Sequence, residues 1–264
     1  MGFTIDLKGK VVLVTGVSSG IGLGAACAFA RAGAHVAGCA RKAPHEDEVK
    51  TFLSLTQAEQ VESLYVQADV TKRLDIENLV NETVKRFGRI DIVVSSAGAN
   101  IFEGGTACTE EKWQHNMDLN LNSHWRLAKC CKPYLEQSEA GVLLLMTSNH
   151  AYHSIPGCFP YNVTKTAITG LVRSLAIEWG PAIRCVGVAP GFIDTLGNDS
   201  WFNSFADPAI ERQRTINLHP VKKIGTVEEV GALCVYLSSP LAGFINGTTI
   251  LMDGGRSALM QDDV

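Results

Sequence analysis

Short, almost uninterrupted apolar runs alternate along this chain with longer amphipathic stretches. The runs at residues 10–15, 35–40, 61–67, 90–95, 141–147, 183–189 and 248–252 read as strands. Most are apolar on both alternating faces, as a strand covered on both sides must be. Between them, apolar residues at helical spacing predict helices over 22–32, 47–58, 74–87, 110–136, 160–180 and 227–237. This alternation predicts an α/β fold, doubly wound around a seven-stranded, predominantly parallel sheet with helices on both faces. No internal repeat or low-complexity linker interrupts it, so a single domain over 1–264 is expected. The stretch 192–224, rich in Gly, Asn, Asp and aromatic residues, fits neither period. It reads as an excursion from the carboxyl edge of the sheet, where open α/β sheets bind ligands and where a cover over a substrate belongs.

Composition narrows the partners. The 264 residues are 46% hydrophobic, enough for a sizeable core, and the formal net charge of -4 provides no electrostatic footprint for nucleic acid or anionic lipid. The longest apolar run, 142–146, cannot span a bilayer, and the apolar stretch at 11–14 is too short for a secretion signal. A soluble cytoplasmic protein is expected. The eight cysteines, Cys27, Cys39, Cys108, Cys130, Cys131, Cys158, Cys185 and Cys234, form no CxxC pair and no metal-ligand spacing. Reduced thiols and no metal site follow. The vicinal pair Cys130 and Cys131 lies on an apolar helical stretch and reads as packing.

The first strand runs directly into Thr15-Gly16-Val17-Ser18-Ser19-Gly20-Ile21-Gly22 and then a helix. Glycines there allow a sharp turn and let backbone N–H groups at a helix N-terminus approach a pyrophosphate. The spacing is Gly-x3-Gly-x-Gly, distinct from the generic GxGxxG. The placement separates the turn from an ordinary glycine-rich connection. At the end of the second strand, where an acid would bind the adenosine ribose of NAD, stand Ala40, Arg41 and Lys42. A guanidinium there pairs with a 2′-phosphate, so NADP(H) is favoured over NAD(H). Asp69, with Val70 beside it, suits the adenine amino group, although an Asp at a strand end also forms turns. Ser95-Ser96-Ala97-Gly98 supplies small residues where a cofactor ring would pass closely.

Tyr161 and Lys165 lie four residues apart on one helical face. A positive charge near a phenol stabilises phenolate and lowers its pKa from about 10. Such a pair is common by chance. It gains meaning from Ser148, just past the fifth strand, from Pro160 at the helix start, and from the upstream nucleotide turn.

Taken together, these motifs resemble the short-chain dehydrogenase/reductase family, in its compact single-domain form with a Rossmann-like fold, over essentially the whole chain. The glycine motif falls on residues 15–22, and the Asn-Asn-Ala-Gly motif on Ser95, Ser96, Ala97 and Gly98, with two serines replacing the asparagines. The catalytic asparagine falls on Asn120, the serine on Ser148 and Tyr-x3-Lys on Tyr161 and Lys165. Pro190, Gly191, Phe192, Ile193, Asp194 and Thr195 match the Pro-Gly-x3-Thr segment, and 247–255 the closing strand with its Asp-Gly-Gly. The resemblance implies that Ser148 binds the substrate oxygen and that Tyr161 exchanges its proton. Lys165 would hold the nicotinamide ribose, Asn120 would position a water in a proton relay, and Thr195 would bind the carboxamide. It also implies contacts to the cofactor from Gly16, Ser18, Ser19, Gly20, Ile21, Gly22, Ser96, Ala97, Gly98, Pro190, Gly191 and Ile193.

His150, His153, Phe159, Phe192 and Trp201 are the expected substrate neighbours, together with Ser148 and Tyr161. Their mix of imidazoles and aromatics suits a small polar ketone or secondary alcohol, such as a sugar, sugar acid or polyol. A 3-oxoacyl thioester reductase shares every motif and would need a basic patch at the pocket mouth, for which Arg212, Arg214, Lys222 and Lys223 are available. A non-catalytic NADP(H) sensor would be expected to lack the tyrosine, and a related enoyl-reductase branch uses a wider Tyr-to-Lys spacing. Apolar stripes on the helices at 110–136 and 160–180, the second through Ile168, Leu171, Val172 and Leu175, exceed what a thin sheet cover needs. The resemblance implies a homotetramer, and composition alone permits a dimer.

Overall fold

The computed structural model describes residues 4–259; the outermost ends of the expected 1–264 unit lie outside them. Seven strands form one sheet: β1 (Val11–Thr15), β2 (His35–Ala40), β3 (Ser63–Gln67), β4 (Ile92–Ser95), β5 (Gly141–Met146), β6 (Ile183–Pro190) and β7 (Thr249–Met252). Their order is β3-β2-β1-β4-β5-β6-β7 and every pairing is parallel. The sheet is therefore wholly parallel, where the sequence pattern predicts only a predominantly parallel one. The direction of winding reverses between β1 and β4, and in such sheets the crevice at that switch point is the ligand site.

The helices are α1 (Gly20–Arg31), α2 (Asp47–Gln57), α3 (Arg73–Phe87), α4 (Glu110–Met117), α5 (Ser123–Leu135), α6 (Tyr161–Trp179), α7 (Leu196–Phe202), α8 (Pro208–Asn217) and α9 (Val227–Ser238). They cover both faces and divide the core in two. One layer packs Phe29, Val36, Phe52, Val94 and Leu144 beneath α1, α2 and α9. The other packs Leu79, Val93, Leu127, Leu143 and Ile168 beneath α3, α5 and α6. All five residues of β1 and all six of β5 are buried, which explains their unbroken apolar runs.

Three expectations need correction. The single helix predicted over 110–136 is interrupted by a π-helical turn, Asp118–Asn122, which inserts an extra residue around Asn120. Apolar periodicity does not register such an insertion. The excursion at 192–224 contains helices α7 and α8. Both start on side-chain caps: Thr195 accepts from the Asn198 N–H, and Asp207 accepts from Ala209 and Ile210 N–H ahead of Pro208. The Asp-Pro step was the readable signal, missed because the short helices lack an apolar stripe. Finally, Ile168, Val172 and Leu175 are buried within the chain's own second core layer. The α6 stripe therefore faces the sheet and carries no argument for an oligomer.

Candidate active site

The nucleotide side of the site grows from the end of β1. Gly16 and Val17 N–H both donate to Cys39 O, at 2.8 and 3.1 Å, which bends the chain over the end of β2. Gly16 takes a left-handed φ of +83°. A Cβ on Gly22 would lie 2.2 Å from Gly16 O, so only glycine allows α1 to begin this close to the turn. Ser19 is the N-cap of α1, yet its hydroxyl makes no capping bond, so the N-cap side chain does not satisfy the start of α1, the terminus that favours an anion. Thr15 Oγ1 accepts from Ser96 and Ala97 N–H, each at 3.0 Å, tying the end of β1 to the loop after β4. Thr195 approaches from the opposite side, with its Cγ2 3.5 Å from where a Gly20 Cβ would stand. These features fit a dinucleotide, the glycine turn and the open start of α1 suiting its pyrophosphate.

Around the adenosine end the candidates separate. Arg41 is exposed. Lys42 is held by Glu46 and Glu48, at 2.9 and 3.0 Å, so its ammonium is directed back onto α2. Asp69 Oδ1 accepts from the N–H and hydroxyl of Thr71. Desolvation pushes its carboxyl up, but the Thr71 bonds with Lys72 and Arg41 nearby outweigh this and hold it below the usual range. Val70 is buried beside it.

The catalytic candidates converge at the carboxyl end of β4 and β5. Asn120 is fully buried on the π turn. Its Oδ1 accepts from Ala99 N–H at 3.1 Å, and its Nδ2 donates to Ala99 O at 2.9 Å and to Asn116 Oδ1 at 2.8 Å. Asn116 in turn donates to Pro160 O at 3.1 Å, so the two amides join the loop after β4 to the start of α6. A Cβ on Gly98 would stand 2.7 Å from Asn120 Oδ1 and 3.7 Å from Lys165 Nζ, which places these three residues together.

Ser148 follows β5; its hydroxyl accepts from His150 N–H at 3.2 Å and donates to Asn149 Oδ1 at 3.3 Å. Tyr161 and Lys165 occupy the first turns of α6, only 8% and 4% exposed. Burial pushes the Tyr161 phenol up to about 12, against a smaller lowering by its hydrogen bond with Ser148. Lys165 Nζ donates to Met146 O at 3.1 Å and lies 5.4 Å from the Tyr161 ring centroid. Burial brings Lys165 down to about 8. The expectation that the lysine lowers the phenol's pKa is thus outweighed by desolvation, which raises the phenol and lowers the ammonium. Such a phenol stays protonated through neutral pH and can donate to an oxygen placed beside Ser148.

The substrate candidates divide. His150 packs edge-on against Tyr161 at 6.1 Å, its Nδ1 buried without a hydrogen-bond partner, and burial holds the ring below the usual imidazole range. Phe192 packs at a tilt against Trp201 and Phe202, at 5.5 and 5.4 Å, at the root of the 192–224 excursion. His153 is exposed on the loop after β5. Phe159 stacks on Trp113 of α4 at 5.5 Å and 22°, so its ring is engaged away from the phenol.

Sequence reading missed Phe102, which is 43% exposed and packs edge-on against both Tyr161 (5.4 Å) and His150 (5.9 Å). A single large apolar residue in a polar loop after β4 was the available signal. It also missed Asn116, whose place four residues before Asn120 was visible, and the Arg212 clamp. That guanidinium bonds Asp194 and Asp199 and lies 4.7 Å from the Phe202 ring centroid, tying α8 to α7. Among the described residues, no group of three or more His, Cys, Asp or Glu could hold a metal, and no helix is long and apolar enough to cross a membrane.

Comparison with known proteins agrees with this geometry. Residues 16–257 match the family model described as enoyl-(acyl carrier protein) reductase. The chain is 34% identical over 252 residues to human dehydrogenase/reductase SDR family member 4, covering 94% of this chain and 88% of the relative. It is 32% identical over 254 residues to a Bacillus subtilis protein named as a probable 2,4-dienoyl-CoA reductase, covering 95% and 97%. The aldohexose dehydrogenase of Thermoplasma acidophilum superposes with a TM-score of 0.89 at 26% identity, over 99% of each chain. With a family model matched over nearly all of its length and a wholly parallel sheet carrying this site, the chain belongs to the short-chain dehydrogenase/reductase family of NAD(P)-dependent oxidoreductases.

Proposed function

We propose that this protein is an NADP(H)-dependent carbonyl reductase/alcohol dehydrogenase acting on a polar ketone or secondary alcohol of the sugar, sugar acid or polyol class. The observation that carries the reading is the burial of the Tyr161 phenol at the start of α6, with Lys165 Nζ 5.4 Å from its ring centroid and Ser148 at the carboxyl edge of β5. When bound, the nicotinamide cofactor supplies or accepts the hydride. Gly16, Ser18, Ser19, Gly20, Ile21 and Gly22 would hold its pyrophosphate. Arg41 would meet the 2′-phosphate, and Asp69 and Val70 the adenine. Ser96, Ala97, Gly98, Pro190, Gly191, Ile193 and Thr195 would frame the nicotinamide end.

In reduction, Ser148 and Tyr161 hold the carbonyl oxygen, and Tyr161 delivers the proton from its hydroxyl. In oxidation the phenol must first release its own proton toward solvent, and the same oxygen then takes the proton from the alcohol. Lys165 holds the nicotinamide ribose and is the cation nearest the developing phenolate. Both N–H groups of the Asn120 amide are engaged by Ala99 O and Asn116 Oδ1, and its Oδ1 accepts from Ala99 N–H, so we assign its part in the water relay to the shape of its π turn. The unpartnered Nδ1 of His150 beside the phenol favours a substrate with a second polar group, and the aldohexose dehydrogenase likeness points the same way.

A 3-oxoacyl thioester reductase is the second reading, favoured by the names of the family model and of the Bacillus relative. Against it, the cations near the pocket mouth are engaged: Arg212 by Asp194 and Asp199, Arg214 by Glu211, and Lys223 by Glu229. A non-catalytic sensor is disfavoured by the assembled Ser148, Tyr161 and Lys165. The eight free thiols suit a reducing cytoplasm, and we retain a homotetramer, with a dimer as the alternative. Sugars, polyols, keto acids and β-keto thioesters, each assayed with NADPH and NADH, test the proposal. Turnover of the sugar class with NADPH, lost in Tyr161→Phe, supports it, and turnover confined to thioesters moves the assignment to the second reading.

A further inference from the structure

A cavity of about 200 Å3 lies between the turn after α8, the start of α9 and the segments that follow β6 and β7. None of Asn120, Ser148, Tyr161 or Lys165 lines it, while Phe192 and Ile193 form a wall it shares with the substrate and cofactor side. Its apolar wall comes from Phe192, Ile193, Val221 and Met252, and its polar groups are His219, Lys223, Glu229 and Asp253. His219 is 3% exposed. Its Nδ1 lies 2.8 Å from Thr215 O. A carbonyl can only accept, so Nδ1 carries a proton, and Nε2 is the ring nitrogen left over. That Nε2 is buried with no hydrogen-bond partner. The ring edge bearing it faces Gly254, also in the cavity wall, where a Cβ would stand 3.5 Å from His219 Cδ2.

A buried polar atom without a partner is unfavourable and uncommon in folded proteins. Here it sits in a wall that can yield. The turn from His219 to Lys222 is held to the segment after β7 by Val221 N–H to Gly254 O at 3.3 Å, and Lys222 adopts a left-handed φ of +54°. A small outward movement of this turn would open Nε2 to the cavity.

We propose that this cavity is a binding site for a small hydroxyl-bearing apolar molecule of the phenol or short-chain alcohol class. The hydroxyl donates to His219 Nε2, and the apolar body packs against Phe192, Ile193, Val221 and Met252. A stronger acid is disfavoured by the carboxylate of Asp253, since Lys223 in the same wall is already paired with Glu229, and a purely apolar ligand leaves Nε2 unpartnered. Occupancy is felt at the cover of the active site, because Phe192 also packs against Trp201 and because Ile193 bridges to Gly225 at the root of the excursion. The proposal is independent of the substrate class assigned above.

Phenol is the probe, added to the purified full-length protein and followed by calorimetry, by the 15N resonances of histidine-labelled protein, and by tryptophan emission. The expected result is saturable binding that shifts the His219 Nε2 resonance and changes an emission component lost in Trp201→Phe. His219→Leu should weaken binding at least 10-fold while His219→Gln retains part of it. Should His219→Leu fail to fold, Val221→Trp, at a half-exposed position, fills the cavity and should abolish binding. Tyr161→Phe should leave the affinity within twofold. Absence of saturable binding overturns the proposal. So does binding that Tyr161→Phe removes and Val221→Trp leaves intact, which would place phenol in the catalytic pocket.

Discussion

Lys165 Nζ lies 5.4 Å from the centroid of the Tyr161 ring and donates to Met146 O at 3.1 Å, so the cation of the pair is anchored to the end of β5. Burial lowers Lys165 from 10.5 to about 8. A depressed lysine pKa penalises folding fully below the folded value, and the penalty is relieved as pH rises from about 8 to 10.5. At pH 7 this amounts to about 2–4 kcal/mol, at roughly 1.4 kcal/mol per unit. Lys165→Met, which removes the charge and keeps the length, is expected to raise Tm at pH 7 by about 2 °C or more while turnover falls at least about 100-fold. A Tm gain that is the same at pH 7 and pH 10 would contradict the electrostatic account.

The same value sets a pH limit on cofactor binding. Affinity for NADPH, followed by fluorescence titration, should decline as pH rises through about 8, where Lys165 loses its charge. Lys165→Arg should remove the decline, because a guanidinium stays charged.

Tyr161→Phe deletes the hydroxyl and leaves the ring against Phe102 and His150. Turnover in both directions should fall by about 100- to 10,000-fold with NADPH affinity nearly unchanged. Equal losses in affinity and turnover would assign the tyrosine to binding.

Arg41 and Lys42 are neighbours with different surroundings. Lys42 is already paired with Glu46 and Glu48, so Lys42→Ala should alter the NADPH-to-NADH preference less than about threefold. Arg41→Ala should reduce that preference by about 10-fold or more, the effect of losing one charge-assisted pair. A wild-type enzyme that prefers NADH would remove the basis for this assignment.

Asp91 is 1% exposed at the start of β4 and accepts from Arg89, Ser138 Oγ and Val11 N–H. Desolvation raises its carboxyl, yet these bonds together hold it below the usual range. A depressed carboxylate adds stability above its unfolded pKa of about 3.9, and that stability is lost as pH falls through the folded value. Asp91→Ala is expected to cost about 2–4 kcal/mol at pH 7, with a smaller difference from wild type near pH 3, as read from urea unfolding.

Much of the fold and site was legible along the chain because its signals are local. Fully buried strands must be apolar on both faces, which made β1, β2, β4, β5 and β6 visible. The glycine turn was legible because only residues without a Cβ let α1 start where Gly22 meets Gly16 O. Tyr161 and Lys165 share a face because the helix repeat puts them there. Helices α7 and α8 were hidden because short capped helices carry no apolar stripe.

The sequence alone determined the order of strands and helices, the phosphate turn and the spacing of Ser148, Tyr161 and Lys165, all of which follow from backbone geometry over a few residues. Tertiary structure decided what depends on distant neighbours. Burial by surrounding elements raises the phenol and lowers the ammonium. The loop after β4 brings Phe102 onto Tyr161, and Glu46 and Glu48 pair with Lys42. Desolvation and packing sum over residues far apart in the chain, and no local pattern carries that sum.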